Sequence, residues 1–440
     1  MRDGIELLHR RPMQPPDRAE AAAAVLAARP SSGLRLEDAA GREFDPAAAL
    51  NAHWQRPPYA MTIRLVHRQH DQDGPGVIDE AVIGTRGSRA AVRDRIEATM
   101  ARMWRDAERG LGRGAGCAAP PQVLKPGLLG SVRARLARGV ERLGERVLVE
   151  WWSVGRAPAD LGALVAGRGL GAVDWVEPRS GAAYLADPFV WPGSGRLLAE
   201  EMPTAGGRGR IVALEQGGDG KLGPATVVLE DDAHHSYPCA FADHGAVYLL
   251  PETPEPGRTT LYRLNDDATL APVCHVAPER RLADPTLFRA GGRYWIACTD
   301  IEIGAHDNLC LLHADRLEGP WRSHRLDPVR IDVRGARPGG PVFALGGALF
   351  RPGQDCARGY GAALVLHRIE TLTPDAFREI PVATLHPDRR GPFPQGLHTL
   401  SAGEGCVWVD GKRLVFNPGI VAGKLRAKLV SRLAGKGRGR

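Results

Sequence analysis

Acidic residues stand at the openings of apolar runs in this chain, where general acid–base chemistry would need them. Asp187 sits in Ala186-Asp187-Pro188-Phe189, Glu252 follows Pro251, and Asp284 opens Asp284-Pro285-Thr286-Leu287-Phe288. Paired carboxylates suit proton transfer at an ether oxygen, one delivering a proton while another receives one. Around them come residues fitted to hold a polyhydroxylated ligand: Glu201, His234, Tyr237, Arg337, Gln354, Asp355 and His398. Their neighbours Glu200, His235, Asp300, Glu302, Arg351, Asp410 and Lys412 occupy comparable places. Each has a structural alternative. An Asp before Pro can cap a turn, Glu252 can take a neighbouring backbone N–H, and Arg337 can pair with Asp284 or Asp355.

What would bring these residues together is a repeat. Tyr184–Trp191, Tyr237–Phe241, Asp284–Phe288, Gly340–Phe343 and Leu397–Leu400 recur at roughly 50 residues, the spacing of propeller blades. Each leads through a turn into a second apolar strand, as in Arg196–Glu200, Val247–Leu250, Tyr294–Ala297, Ala348–Phe350 and Cys406–Val409. The expectation is a mainly all-β protein: a five-bladed β-propeller over 148–416, with a small α/β region at 1–120. A linker helix at 121–147 and a basic amphipathic tail at 417–440 complete it. In a blade the first strand starts, and the second ends, at one rim, so the residues above would converge on one funnel.

In the N-terminal region, Tyr59–Gln69 reads as a strand. A helix over Ser88–Arg109 has Ser88 as its cap and Val92, Ile96, Met100 and Met103 on one face. Ala19–Leu26 is helix-prone. Within Gly130–Val147, apolar residues at helical spacing oppose several arginines.

Bulk properties exclude several classes. At 440 residues the chain is too long for one ordinary core, and its 43% hydrophobic and 25% charged residues are those of a globular protein. No apolar run reaches the ~20 residues of a membrane span, and the N-terminus lacks a secretory pattern. The net charge of +7 is the charge of the tail: Lys424, Arg426, Lys428, Arg432, Lys436, Arg438 and Arg440, with no acid among them. The rest is balanced, so no nucleic-acid partner is expected. The unopposed cations would favour an anionic membrane surface. Seven scattered cysteines without a CxxC pair suggest neither a disulfide framework nor a zinc site. The expectation is a reduced, cytoplasmic protein, membrane-peripheral through its tail, with no metal and no cofactor.

Several motifs carry a family resemblance: Ala186-Asp187-Pro188-Phe189, His234-His235-Ser236-Tyr237-Pro238, Pro251-Glu252 and Asp284-Pro285-Thr286-Leu287-Phe288. Others are Gly319-Pro320-Trp321, Ala336-Arg337-Pro338, Gln354-Asp355, Tyr360-Gly361 and His398-Thr399. On these, residues 184–416 resemble the propeller region at the N-terminus of plant glucosamine inositolphosphorylceramide transferases, also found beside formyltransferase-like regions in bacterial proteins. More distantly they are similar to five-bladed glycosidases of the family-43 kind, whose first two funnel carboxylates Asp187 and Asp284 match by position. The third has no counterpart, Glu318 lying in a turn signature and Glu252 in another blade. Residues 1 to about 110 resemble the trailing part of the formyltransferase-like regions, without an Asn/His/Asp formyl-transfer set, which implies a remnant or docking domain. The glycosyltransferase domain of the plant proteins is not expected here.

The function these readings imply is a carbohydrate-active propeller, hydrolysing or transferring at a glycosidic bond, with Asp187, Glu252 and Asp284 as its acid–base set. Its ligand would be a glycan, a sugar nucleotide or a glycolipid. The alternative is a non-catalytic glycan- or glycolipid-binding module that partners a separate glycosyltransferase.

Overall fold

The computed structural model describes residues 33–67, 76–114, 148–176, 183–203, 207–217 and 221–416. The helical patterns read at 19–26 and 130–147, and the tail from 417 onward, lie outside the described residues. The described chain falls into two compact units, 33–114 and 148–416.

In the first unit, β1 (Leu34–Glu37), β2 (Ala60–His67) and β3 (Gly76–Gly84) form an antiparallel sheet in that order. Helix α1 (Pro46–His53) starts at Asp45, whose carboxylate accepts the N–H groups of Ala47 and Ala48. Helix α2 (Arg89–Glu108) is capped by Ser88, which accepts the Ala91 N–H at 3.1 Å. Val92, Ile96, Met100 and Met103 are its buried face, as the 3.6-residue period predicts.

The second unit opens with β4 (Leu148–Ala157), the short helix α3 (Leu161–Val165) and β5 (Asp174–Trp175). The first repeat is the sheet β6 (Ala183–Trp191), β7 (Arg196–Pro203), β8 (Arg210–Gln216) and β9 (Leu222–Leu229). The second is β10 (Ser236–Asp243), β11 (Ala246–Glu252), β12 (Thr260–Leu264) and β13 (Leu270–His275). The third contains β14 (Leu282–Ala290), β15 (Arg293–Asp300), β16 (Asn308–Ala314), β17 (Arg322–Ser323) and β18 (Arg330–Asp332). The fourth is β19 (Phe343–Leu345), β20 (Ala348–Asp355), β21 (Ala363–Leu372) and β22 (Phe377–Leu385). Last come β23 (Leu400–Gly403) and β24 (Cys406–Phe416), which continue through β4 to β5, so the first strand of the unit completes the last sheet. All neighbours are antiparallel meanders, the architecture of a β-propeller.

The blade count departs from expectation. Four sheets are regular four-stranded blades, not five. The third repeat departs from the pattern: the outer edge of β16 is divided between β17, opposite Leu312 and His313, and β18, opposite Asn308 and Leu309. The physical reason is in the sequence: Pro320 and Pro328 interrupt the stretch that would form a continuous fourth strand, and neither has an N–H for a ladder.

The inner strands of the first three repeats share one distortion. Their ladders slip between Ala186 and Phe189, Ser236 and Cys239, and Ala283 and Thr286. The residue before proline in each slip has positive φ: Asp187 at 52°, Tyr237 at 45° and Asp284 at 49°. Residues before proline favour extended backbone, and positive φ is rare for side chains of this kind. Bulges of this type turn a side chain or N–H out of the ladder, and such strain persists only where surrounding contacts hold it, commonly at functional sites.

Candidate active site

Side chains of the neighbouring sheet hold each strained residue. The Asp187 N–H donates to Asp410 Oδ2 at 3.1 Å, the Tyr237 N–H to Asp187 Oδ2 at 3.2 Å, and the Asp284 N–H to Glu252 Oε2 at 2.9 Å. Three bulges and three carboxylates therefore interlock, and all of these residues are buried. Both structural alternatives are realised: Glu252 takes a backbone N–H, and Arg337 pairs with Asp284.

Asp284 is the most heavily clamped. Arg337 Nε donates to its Oδ2 at 2.5 Å and Nη2 to its Oδ1 at 3.2 Å, while Gln354 Nε2 donates to Oδ2 at 2.6 Å. Bidentate guanidinium binding fixes orientation as well as charge. Arg337 also reaches the Ala305 carbonyl at 2.8 Å, lies 3.8 Å from Glu252, and covers the Tyr360 ring with 4.9 Å to its centre.

At the other side, the Thr399 hydroxyl donates to Asp187 Oδ1 at 2.7 Å, and His398 Nε2 lies 3.4 Å from the same oxygen. His398 Nδ1 is 2.5 Å from Asp410 Oδ2, and Asp410 Oδ1 accepts the N–H groups of His398 and Thr399. The donors of Asp187, His398 and Asp410 lie within 4.8 Å of one another. Trp152 packs against His398 with ring centres 4.0 Å apart and planes tilted by 31°, and Tyr360 meets it edge-on at 5.1 Å. Lys412 Nζ bonds Glu150 at 3.0 Å and the Tyr360 carbonyl, over the Trp152 ring.

This environment moves the acids upward. Burial is the main cause at Asp187, helped by Asp410 and Asp284 and opposed by His398 and Thr399, and it pushes the carboxyl up to about 6. Burial and then Asp284 raise Glu252 well above the ordinary range against the pull of Arg337. Glu200 is likewise raised well above it, by burial and then by Asp187, Glu252, Asp410 and Asp284. At His398 burial opposes the charge, but Asp410 and Asp187 outweigh it and raise its pKa.

Of the residues picked from sequence, Asp187, Glu252, Asp284, Arg337, Gln354 and His398 come together. Tyr237 joins through its backbone; its hydroxyl contacts Thr286 at 2.8 Å and accepts the Gly340 N–H at 2.7 Å, deep in the core. His234 stands beside Glu200, its Nε2 3.6 Å from Oε1. Two choices fall outside the cluster. Glu201 pairs with Arg210 at 2.6 Å, because it faces opposite to Glu200 on β7, where successive residues alternate. Asp355 closes its own turn, accepting the Ala357 N–H at 2.9 Å. Of the comparable neighbours, Asp300 pairs with Arg280 at 2.9 Å, Glu302 with Arg281, and Arg351 with Glu379. His235 bonds Asp231 and Thr253. Glu318 is exposed beside Arg316, as its turn signature suggests. Tyr360 and Thr399 were legible as motif residues without a role; Trp152 was not singled out from sequence, and a long strand pair at the ends of the propeller region is its one signal.

The fold and site define a β-propeller with a buried, mostly acidic cluster where its inner strands begin. The chain belongs to the family described as glucosamine inositolphosphorylceramide transferase 1, N-terminal, whose family model matches residues 172–391. Proteins named glucosamine inositolphosphorylceramide transferase 1 are similar to it. That of Arabidopsis thaliana is 29% identical over 250 residues, covering 52% of this chain and 32% of its own. That of Oryza sativa subsp. indica is 32% identical over 209 residues, covering 45% and 28%. The chain thus spans about a third of the length of these relatives. Among solved structures, a putative exo-β-1,3-galactanase from Bifidobacterium bifidum s17 is 15% identical, with a TM-score of 0.37 and coverage of 53% and 89%. An exo-1,5-α-L-arabinanase from a bovine ruminal metagenomic library is 12% identical, with a TM-score of 0.36 and coverage of 53% and 95%. Likeness at that level says nothing about chemistry.

Proposed function

We propose that the propeller is carbohydrate-active: it holds a glycan, sugar nucleotide or glycolipid at the acid cluster and hydrolyses or transfers at a glycosidic bond. Asp187, Glu252 and Asp284 form the acid–base set. The observation that carries this reading is one buried cluster of interlocked carboxylates, two of which are held toward the protonated form. Glu252 is held well above the ordinary carboxylate range and Asp187 near neutrality, while Arg337 and Gln354 clamp Asp284. Buried acids raised in this way beside a clamped carboxylate are suited to give and take protons in one reaction. The family name and the relatives' names support the substrate class. Arg337, Gln354, His398 and the Tyr360 and Trp152 rings offer donors and apolar faces to a sugar. A cytoplasmic setting, with the cationic segment from 417 onward meeting an anionic membrane, belongs to the same proposal. Salt-sensitive vesicle binding that disappears on truncation at 417 would support that part.

A second reading has its own observation. Asp187, Glu252 and Asp410 each accept a backbone N–H that joins neighbouring sheets, the work of structural acids in a non-catalytic glycan- or glycolipid-binding module serving a separate transferase. Asp187→Asn separates the two. In an enzyme it lowers turnover of aryl glycosides or nucleotide sugars by about 10²–10⁴ while calorimetric affinity is kept. In a binding module no product forms, and affinity falls by about 1–3 kcal/mol. Turnover and affinity both unchanged would dismiss the site.

A further inference from the structure

Hydrogen-bond partners divide the acids of the cluster into two kinds. Asp410 accepts three backbone N–H groups. Asp187 accepts a backbone N–H and the Thr399 hydroxyl, Glu252 accepts the Asp284 N–H, and Asp284 is held by Arg337 and Gln354. Glu200 is different. It is 8% exposed, yet among the described residues no donor stands within hydrogen-bonding distance of either oxygen. Its oxygens keep some contact with solvent, so a ligand can reach them.

The surroundings of Glu200 are built for approach. The Gly209 N–H donates to His234 Nδ1 at 2.8 Å, so in the neutral ring the proton sits on Nε2, the nitrogen that faces Glu200 Oε1 at 3.6 Å. Burial lowers the pKa of His234, which favours that neutral ring. Gly209 makes the arrangement possible: a Cβ there would lie 2.4 Å from Glu200 Oε1 and 2.8 Å from His234 Cε1. His234 keeps about a third of its side chain exposed, so the pair borders on solvent.

We infer that Glu200 is the catalytic proton donor of this site, meeting the glycosidic oxygen of a bound sugar, and that His234 positions it. This rests on the carbohydrate reading above. The four carboxylates around it and its burial favour the neutral acid before reaction. In the step, the Glu200 proton moves to the glycosidic oxygen as the bond from that oxygen to the anomeric carbon breaks. The bonding pair leaves with the oxygen, which becomes a hydroxyl, and Glu200 becomes a carboxylate. Water or an acceptor hydroxyl forms the new bond to the anomeric carbon and gives its proton to Asp187. Proton exchange with solvent restores both acids.

The test compares leaving groups. Wild-type protein, Glu200→Gln and His234→Ala are assayed on nitrophenyl glycosides and on the matching methyl glycosides, with infrared detection of the protonated-carboxyl carbonyl band. Nitrophenolate departs without a proton, so Glu200→Gln should keep most of that turnover, lose the methyl-glycoside reaction by about 10²–10⁴, and weaken the band by the share that Glu200 adds to that of Glu252. His234→Ala should shift the pH profile of methyl-glycoside cleavage with an unchanged melting temperature. Glu200→Asp, which keeps the acid but shortens its reach, gives the same leaving-group dependence should Glu200→Gln fail to fold. Equal losses on both substrates, no loss on either, or a band that Glu200→Gln leaves unchanged in strength would overturn the assignment while the carbohydrate reading stands. A wild-type protein inactive on every glycoside, with a band that Glu200→Gln weakens, would instead overturn that reading and the donor step with it.

Discussion

Two buried clusters of carboxylates sit in the same unit and behave in opposite ways. Beneath the third and fourth repeats, Asp332 and Glu379 meet three guanidiniums. Arg330 lies 2.8 Å from Asp332 and 3.0 Å from Glu379, Arg334 lies 2.9 Å from Asp332, and Arg351 binds Glu379 at 2.6 and 2.8 Å. At the inner strand ends, Asp187, Glu200, Glu252, Asp284 and Asp410 share Arg337 and His398. Burial raises acids in both places. In the first, Arg330 and Arg334 overcome it and hold Asp332 down to about 2, and Glu379 is also lowered. In the second, burial prevails at Asp187, Glu200 and Glu252. The ratio of guanidiniums to acids, rather than depth, separates a structural cluster from one able to exchange protons.

The largest effect that would sharpen this contrast is Glu379→Gln. Removing one charge from a closed buried network leaves arginines uncompensated, and about 3–5 kcal/mol of unfolding free energy should be lost in chemical denaturation. A loss below about 1 kcal/mol would mean that the network is no more than a surface-like set of pairs.

Next comes the dependence on pH, with opposite signs for the two clusters. Asp187 is raised from 3.8 to about 6, so in that window the folded protein holds more protons than the unfolded chain, and its contribution to stability falls as pH rises. Asp187→Asn should remove a slope of up to about 1.4 kcal/mol per pH unit between these limits. Asp332 is lowered from 3.8 to about 2, so its contribution is present above the upper value and is lost as pH drops toward the lower one. Stability curves of Asp187→Asn and Asp332→Asn that change in the same direction would break the comparison.

Gly209→Ala should cost about 1–3 kcal/mol through overpacking against Glu200 and His234. It should also lower turnover on sugar substrates, since the acid must swing away; a fully active, equally stable variant would show that the close approach is unimportant. At the bottom of the scale, Glu318→Gln, on the exposed turn, should change stability by less than about 0.5 kcal/mol and leave turnover as it was.

The sequence carried the repeat, and with it the placing of Asp187, Glu252, Asp284, Arg337 and His398, because a strand period and a blade period are local facts about spacing. Glu200 against Glu201 shows where that stops. Both stand at the end of the same strand, and which one faces the cluster depends on the register of β7 against β6, where Glu200 is opposite Ala186 and Glu201 opposite Leu185. A slip of one residue exchanges the two faces. The Asp-Pro and Tyr-Pro pairs were legible as motifs, but their left-handed backbone was not, since residues before proline ordinarily lie in the extended region.

By itself the amino-acid sequence determined the all-β repeat, the acid–proline mouths of its inner strands and the balance of charge outside the tail, all of which follow from residue types at short range. Only the tertiary structure decided that β17 and β18 divide the outer edge of β16, and that β4 completes the sheet begun by β23 and β24. It also decided which buried acids are neutralised by arginine and which are not. That last distinction depends on distances between groups far apart in the chain, such as the Asp187 N–H and the Asp410 carboxylate, 223 residues apart. Coulomb energy and desolvation follow distance in space, on which separation along the chain has no bearing.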